Sequence, residues 1–164
     1  MRLANENDLP RIVVIYNSTI PSRMATADTK EVTLESRVDW FLKHSDTRPI
    51  FVEEIDGNIV SWVSFESFYG RPAYHLTAEI SIYVDAQHRG QGIGSKLLDE
   101  SIKLCPSLGL KNLVAYIFSH NKDSLALFEK QGFTKWGELP EVAEMDGKLY
   151  SLLILGLRLD STKV

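Results

Sequence analysis

The sequence contains very little cysteine: Cys105 is the only one among 164 residues. A disulfide framework is therefore excluded, and because Cys105 lies late in an apolar helical pattern, we expect it to be a buried small hydrophobe. No stretch approaches the roughly 18 consecutive apolar residues of a membrane helix. Residues 1–8 lack the apolar run of a signal peptide, and the four histidines show no metal-ligand spacing. These absences predict a cytoplasmic protein with neither a membrane span nor a metal site.

The chain also has little excess charge of either sign. Its net charge is −4, with 44% hydrophobic and 24% charged residues, which is typical of a globular protein. Because binding to nucleic acid requires a basic surface, we do not expect nucleic acid as a partner. The length predicts a single domain, residues 1–164.

The most informative segment runs from Val84 to Leu98. Here Gly90, Gly92 and Gly94 stand at alternate positions between a β-branched strand pattern and a helical pattern. Glycine permits positive φ and close approach to the backbone, and a helix start offers free N–H groups, so this turn can bind an anion such as pyrophosphate. The spacing fits neither a P-loop nor a dinucleotide-binding fingerprint. From the glycines alone, an anion pocket and a βα turn without a ligand both remain open.

Periodicity and turn signals predict an α+β protein with helices on both faces of one sheet. A first helix is predicted after Asp8, with Ile12, Ile15 and Tyr16 as apolar positions, and a second after Thr33; two more cover 92–105 and 122–131. Predicted strands cover 51–55, 59–65, 77–84, 112–118, 133–142 and 149–157, with an extra strand near 2–4. Asp56-Gly57 and Asp146-Gly147 are strong hairpin signals. Asp8 and Thr33 are predicted N-caps. The segment after residue 159 is expected to fray.

Along the predicted second helix, the apolar positions are expected to form a stripe against the core. They are Leu34, Val38, Phe41 and Leu42. In the predicted strand 77–84, alternation places Ala78, Ile80, Ile82 and Val84 on one face and Thr77, Glu79, Ser81 and Tyr83 on the other.

Two motifs resemble the GNAT superfamily of N-acetyltransferases. The run Arg89 to Gly94 is similar to its central motif, Arg/Gln-x-x-Gly-x-Gly/Ala at a strand-to-helix turn, and Asn121–Ser124 followed by Phe128–Phe133 resembles a later motif. The run Arg71 to Val84 is similar to the R-x-A-Y-x-x-T-V-E-x-S-V-Y-V sequence of the phosphinothricin acetyltransferase family. The similarity extends over about residues 12–157. It implies a GNAT-like mixed, mostly antiparallel central sheet.

The resemblance implies that acetyl-CoA is the co-substrate and that no metal is needed. The pyrophosphate would be held by N–H groups of Arg89, Gly90, Gln91, Gly92, Ile93, Gly94 and Ser95. The pantetheine arm would pair with backbone groups of Ile82, Tyr83 and Val84, and the Val84 N–H would stabilise the tetrahedral oxyanion. The Arg89 side chain either adds positive charge or is an ordinary surface arginine. Asn121 would hydrogen-bond the arm, although the same residue type is equally suited to cap a helix.

The resemblance also assigns the general base to Glu79. Substrate amines arrive protonated, so a proton must be removed directly or through water. The alternative is a glutamate that is exposed or makes only a structural hydrogen bond. One departure from the superfamily stands on the late helix, where Phe128 occupies the place of a tyrosine that protonates the leaving thiolate. Water, Tyr116 or Tyr83 could supply that proton, or CoA could leave as a thiolate. Tyr116 is expected to pack in the core.

For the acceptor, the resemblance implies a small amino acid or analogue, of the phosphinothricin or methionine sulfoximine type. Predicted substrate-binding residues are Tyr69, Arg71, Tyr74, Leu76, Thr77 and Ala78, with Arg71 as the carboxylate-binding fork. Residues 17–27, including Arg23 and Thr26, would form a wall, and the loop Met145–Leu149 of a partner in a homodimer would close over the site. The alternatives are a protein or peptide N-acetyltransferase and a non-catalytic acyl-CoA sensor.

Overall fold

The computed structural model describes residues 1–159, and the predicted frayed tail, residues 160–164, lies outside the described residues. The elements are β1 (Arg2–Leu3), α1 (Leu9–Asn17), α2 (Leu34–Leu42), β2 (Ile50–Ile55), β3 (Asn58–Ser67), β4 (Thr77–Val84), α3 (Ile93–Leu104), β5 (Asn112–Phe118), α4 (Lys122–Lys130), β6 (Thr134–Met145) and β7 (Lys148–Arg158). The strands form one sheet in the order β1-β2-β3-β4-β5-β7-β6. All neighbouring pairs are antiparallel except β4 and β5. The predicted element order and sheet type are confirmed.

Both predicted hairpins form at their Asp-Gly pairs. Asp56 and Gly57 have φ of 51° and 76°, and Asp146 and Gly147 have φ of 53° and 75°. Two successive residues with positive φ are what a two-residue type I′ hairpin requires. The β6 strand continues three residues beyond the predicted end, because its pairing with β7 resumes after a register shift between Leu139 and Ala143.

Helices cover both faces of the sheet, as predicted. On one face, α3 and α4 bury Leu97, Leu98 and Phe128 against the central strands, with Cys105 fully buried in the same cluster. On the other face, α1 packs Ile12 and Ile15 against β2 and β3, with α2 contributing Trp40 and Phe41. Within residues 1–159, no helix has the length and apolar character needed to cross a membrane.

Two details of the helices differ from the prediction. The α2 stripe is wrong at three positions, since Leu34, Val38 and Leu42 are 39%, 39% and 60% exposed. The helix instead turns Trp40 and Phe41 toward the sheet, since the large aromatic rings bury more apolar area. Thr33 caps α2 as predicted. The Asp8 side chain does not cap α1, because its carboxylate accepts the Asn5 N–H at 2.8 Å.

The central strands separate partway along their length. The β4 strand pairs with β5 only through Thr77, Ala78 and Glu79. Beyond Glu79, β4 continues to Val84 alongside β3, but no strand among residues 1–159 pairs with its β5 side there. The sheet therefore opens into a V, and this opening positions the candidate site.

Candidate functional site

The V-shaped opening exposes backbone N–H groups of β4. In an antiparallel pair, successive residues alternate between facing the partner strand and facing away from it. Asp85 donates its N–H to the Val60 carbonyl at 2.8 Å, and the register places Val84 opposite Ser61. The N–H groups of Ile82 and Val84 therefore point away from β3 and into the opening. An extended ligand chain can pair with this edge as an added strand.

The glycine-rich turn lies at the wide end of the opening. Gly90 and Gly92 adopt φ of 73° and 80°, and Gly92 occupies the N-cap position of α3. Within residues 1–159, the N–H groups from Arg89 to Ser95 have no backbone or side-chain acceptor. A Cβ at Gly94 would be in ordinary van der Waals contact, 3.4 Å from Leu127 Cδ2 and 3.6 Å from Val84 Cγ2, so little room remains there for a larger side chain. Unpaired N–H groups at the start of a 12-residue helix suit a pyrophosphate.

A continuous groove connects this turn with the centre of the sheet. Its outer part, about 560 Å³, is lined by most of the predicted cofactor residues, namely Ile82, Tyr83, Val84, Arg89, Gly90, Gly92, Ile93, Gly94, Ser95 and Asn121. Its inner part, about 380 Å³, includes Phe128. Gln91 does not line either part, and its amide instead donates to the Gln87 carbonyl. The Arg89 side chain donates to the Val84 carbonyl at 3.2 Å, so it also braces the end of β4.

The Asn121 side chain already has two partners in this structure. Its Oδ1 caps α4 by accepting the Ser124 N–H at 3.2 Å, and its Nδ2 donates to the Met24 carbonyl at 3.1 Å. Helix capping is therefore observed, and the second Nδ2–H and the second lone pair of Oδ1 leave this side chain able to bond a pantetheine arm as well.

Within the substrate wall predicted for residues 17–27, the segment Met24–Ala27 forms a wall of the inner groove, and its contact with a substrate stays a prediction. These residues line the groove opposite β4, and neighbouring side chains hold the segment in place. His120 Nε2 donates to the Arg23 carbonyl at 2.8 Å, and the Arg23 guanidinium pairs with Asp146 at 2.8 Å. Arg23 thus anchors the wall to the β6–β7 turn, a role that its position in the sequence does not indicate.

Glu79 lies where the groove meets a second cavity. Glu79, Ser81 and Tyr83 line both the inner groove and a cavity of about 160 Å³ between the sheet and α1–α2. Burial, together with the facing Glu66, raises the pKa of Glu79 from its ordinary value of 4.5 to about 7. A carboxylate with a pKa near neutral pH can both accept and release a proton under working conditions.

The second cavity is built mainly from residues that the sequence analysis did not select. Its lining includes Tyr16 from α1, Arg37 and Trp40 from α2, and Trp62 and Glu66 from β3. Trp62 stacks on Tyr83 with ring centroids 4.5 Å apart, and the Arg37 guanidinium lies 4.5 Å from the Tyr16 ring centroid. Period-two alternation along β3 would have placed Glu66 on the same face as Trp62, which is the signal available for that residue.

The predicted substrate residues do not line this cavity. Tyr69, Arg71 and Tyr74 are exposed on the loop before β4, where the two tyrosines pack with Phe68. The Leu76 carbonyl accepts the N–H groups of Lys111 and Asn112, and the Thr77 hydroxyl accepts the Asn112 amide. A contact of the Ala78 side chain with a substrate is excluded, since it is fully buried in the core.

Tyr116 lies in the groove wall with Glu79 and Phe128, so the expectation that it packs in the core is wrong. Its side chain lies on the face of β5 opposite to the buried Ala115 and Ile117, because strand residues alternate. Burial, and then Tyr69 and Glu79, raise the pKa of Tyr116, which keeps its phenol protonated at neutral pH. Phe128 is 95% buried and packs edge-on against Phe133, with no group that can donate a proton.

Comparison with known proteins agrees with this geometry. Residues 12–133 match the model of the Acetyltransferase (GNAT) family. The chain is 57% identical to "Putative phosphinothricin acetyltransferase YwnH" of Bacillus subtilis, over 97% of this chain and 98% of that protein. It is 32% identical to the L-methionine sulfoximine/L-methionine sulfone acetyltransferase of Pseudomonas aeruginosa PAO1, over 99% and 96%.

A solved structure gives the same result in three dimensions. It is a GNAT superfamily phosphinothricin acetyltransferase from Sinorhizobium meliloti in complex with AcCoA, with a TM-score of 0.90 and 26% identity, covering 96% of this chain and 86% of that one. The groove, the glycine turn and the opened sheet thus lie in a fold that binds acetyl-CoA in a relative. The chain belongs to the GNAT family of acetyltransferases, enzymes that use acetyl-CoA.

Proposed function

We propose that this enzyme transfers the acetyl group of acetyl-CoA to the amino group of a small amino acid or amino-acid analogue, of the phosphinothricin or methionine sulfoximine type. The observation that carries the proposal is the position of Glu79 in the walls of both the cofactor groove and the second cavity. An amine in the cavity and a thioester in the groove would meet beside this carboxylate. The names of the two relatives support acceptors of this chemical class.

In the proposed reaction, the acceptor enters as an ammonium ion and loses a proton to Glu79, directly or through water. The freed nitrogen lone pair attacks the thioester carbonyl, and the N–H of Val84 donates to the oxygen that becomes negative. Removing one such donor typically raises the barrier by ~2.7–4 kcal/mol. The carbon–sulfur bond then breaks, and the nitrogen releases its second proton. That proton passes to the thiolate of CoA through water or through Tyr116, and Glu79 returns the first proton to solvent.

The second cavity is the proposed acceptor site. Its volume of about 160 Å³ suits a small molecule better than a peptide. Among the described residues that line this cavity, Arg37 is the only arginine or lysine. We therefore assign to Arg37 the carboxylate-binding role that was expected of Arg71. A guanidinium fork binds a carboxylate through two parallel hydrogen bonds.

A panel of acceptors tests the proposal by measuring free thiol released from acetyl-CoA. We expect turnover with methionine sulfoximine, phosphinothricin and free amino acids, and little with peptide amines. Turnover confined to peptides would refute the small-acceptor assignment. If acetyl-CoA binds by calorimetry but no amine releases thiol, the protein is a non-catalytic acyl-CoA sensor and the proposal is wrong.

A further inference from the structure

Glu66 on β3 lies directly opposite Glu79 on the adjacent strand β4, on the same face of the sheet. The antiparallel register of β3 and β4 pairs the two residues, and both side chains line the acceptor cavity. Directly opposite side chains in an antiparallel pair have Cβ atoms ~4.5–5.5 Å apart, and like charges at that distance repel. Two glutamates in this arrangement are unfavourable for the empty protein, so the structure must hold them there.

Trp40 holds Glu66 in its position. The indole N–H donates to Glu66 Oε1 at 2.9 Å, and this hydrogen bond links α2 to β3. The Arg37 guanidinium in the cavity wall donates from Nη2 to Asp28 Oδ2 at 3.1 Å and stacks on Tyr16, so its charge is paired with Asp28 while its other N–H groups stay available to an acceptor carboxylate. Within residues 1–159, neither Glu66 nor Glu79 forms an ion pair. The cavity thus presents two carboxylates without a positive partner.

The other titratable or charged groups around the pair come from every neighbouring element. They are Tyr16 on α1, Asp28 before α2, Arg37 on α2, Tyr83 on β4, Tyr69 before β4 and Tyr116 on β5. Burial raises the pKa of Tyr16, Tyr83 and Tyr116, which keeps these three phenols neutral near pH 7. Asp28 and Arg37 form an ion pair with little net charge. The pair of glutamates therefore dominates the electrostatics of the cavity.

We infer that Glu66 is a second working carboxylate of the acceptor site: it binds the acceptor as an ammonium ion, while Glu79 removes the proton. This inference rests on the proposed function. An ammonium group between the two carboxylates relieves their repulsion and satisfies both. When the N–H bond breaks, the proton passes to Glu79 and the electron pair stays on nitrogen. Glu66, held by Trp40, keeps the amine beside the thioester.

The wall of the same cavity also contains an unsatisfied donor. The Trp62 side chain is 97% buried, and its indole N–H has no acceptor among the described residues. A ligand that brings an acceptor oxygen together with an ammonium group would satisfy this N–H and the two carboxylates together. An α-amino acid carries both groups on one carbon atom, which fits this combination of partners.

Glu66→Gln is the direct test, with methionine sulfoximine and acetyl-CoA as substrates. Glutamine can still accept the Trp40 N–H but carries no charge. Because charge-assisted hydrogen bonds are about twice as strong as neutral ones, we expect KM for the amine to rise about tenfold, with KM for acetyl-CoA unchanged. The acidic limb of the pH profile of kcat/KM should move at least ~0.5 unit lower, since a like charge beside Glu79 is removed.

Two further variants separate this role from a structural one. Glu129→Gln removes an exposed charge on α4 and should leave both KM values and the pH limb unchanged. Trp40→Phe keeps the charge of Glu66 but releases it, so KM for the amine should rise while the pH limb stays in place. Thermal unfolding checks that each variant is folded. If Glu66→Gln does not fold, Trp40→Phe still tests the role of Glu66 through KM for the amine.

The outcomes distinguish this inference from the proposed function. Suppose that the wild-type enzyme acetylates methionine sulfoximine, and that folded Glu66→Gln has the wild-type KM for the amine and the wild-type acidic limb of the pH profile. The role of Glu66 is then refuted while the proposed function stands. If the wild-type enzyme acetylates no amine, the function is wrong and the inference falls with it.

Discussion

Replacing Glu79 by glutamine should make the protein more stable and less active at the same time. The pKa of Glu79 rises from 4.5 to about 7, mainly through burial. The fold therefore favours the protonated form, and wild-type stability falls as pH rises from about 4.5 through about 7. One pKa unit corresponds to ~1.36 kcal/mol, so the rise from 4.5 to about 7 corresponds to ~3.4 kcal/mol. Solvent screening of this partly exposed side chain reduces the destabilisation above neutral pH to on the order of 2–3 kcal/mol. Glutamine has the same shape without the charge and avoids this penalty.

The assay is urea unfolding of both proteins at several pH values, followed by circular dichroism. The free energies of unfolding should be similar near pH 4, diverge through the window from 4.5 to about 7, and stay about 2–3 kcal/mol apart above it. Acetyl transfer by the variant should fall by ~100- to 10,000-fold, the usual contribution of a general base. A stability difference that does not depend on pH would refute the raised pKa, and unchanged turnover would refute the base assignment.

Two other substitutions test the groove and the sheet. Gly94→Asp should weaken acetyl-CoA binding at least tenfold by calorimetry, because it adds a negative charge at the helix start that would bind an anion. The control Gly94→Ala should bind nearly normally, because its Cβ would lie at an ordinary contact distance of 3.4 Å from Leu127. Gly156→Ala should lower the free energy of unfolding by ~1–3 kcal/mol, since its Cβ would lie 1.9 Å from the Trp136 ring, and adding Trp136→Ala should restore stability. Tight binding by Gly94→Asp, or no rescue by Trp136→Ala, would contradict these two explanations.

The parts of the site that the sequence predicted are local. The Asp-Gly hairpins, the glycine turn and the alternation along β4 depend on residues within one turn or strand, so their geometry follows from short-range rules. The position of Glu79 on the face opposite to Ala78 is such a case. The same rules, with the family resemblance, identified most of the groove lining.

The acceptor cavity was missed because it is assembled from distant parts of the chain. Arg37 and Trp40 reach it only because α2 turns its aromatic side toward the sheet, whereas its leucines and Val38 remain exposed. A helical pattern cannot indicate which of two apolar faces will be buried when both contain large side chains. The resemblance to a family motif predicts that Arg71 binds the substrate carboxylate, yet Arg71 is not among the residues that line the cavity.

The separation of β4 from β5 also bears on how the protein avoids aggregation. Unpaired strand edges normally recruit strands from other chains, which is why most proteins shorten or cover them. Here the free edge of β4 lies inside the sheet, behind the wall formed by residues 24–27 and beside α4. A narrow ligand arm suits this confined edge better than a second polypeptide strand with side chains on both faces. The chain thus keeps a strand-pairing edge for a small molecule without presenting it to other proteins.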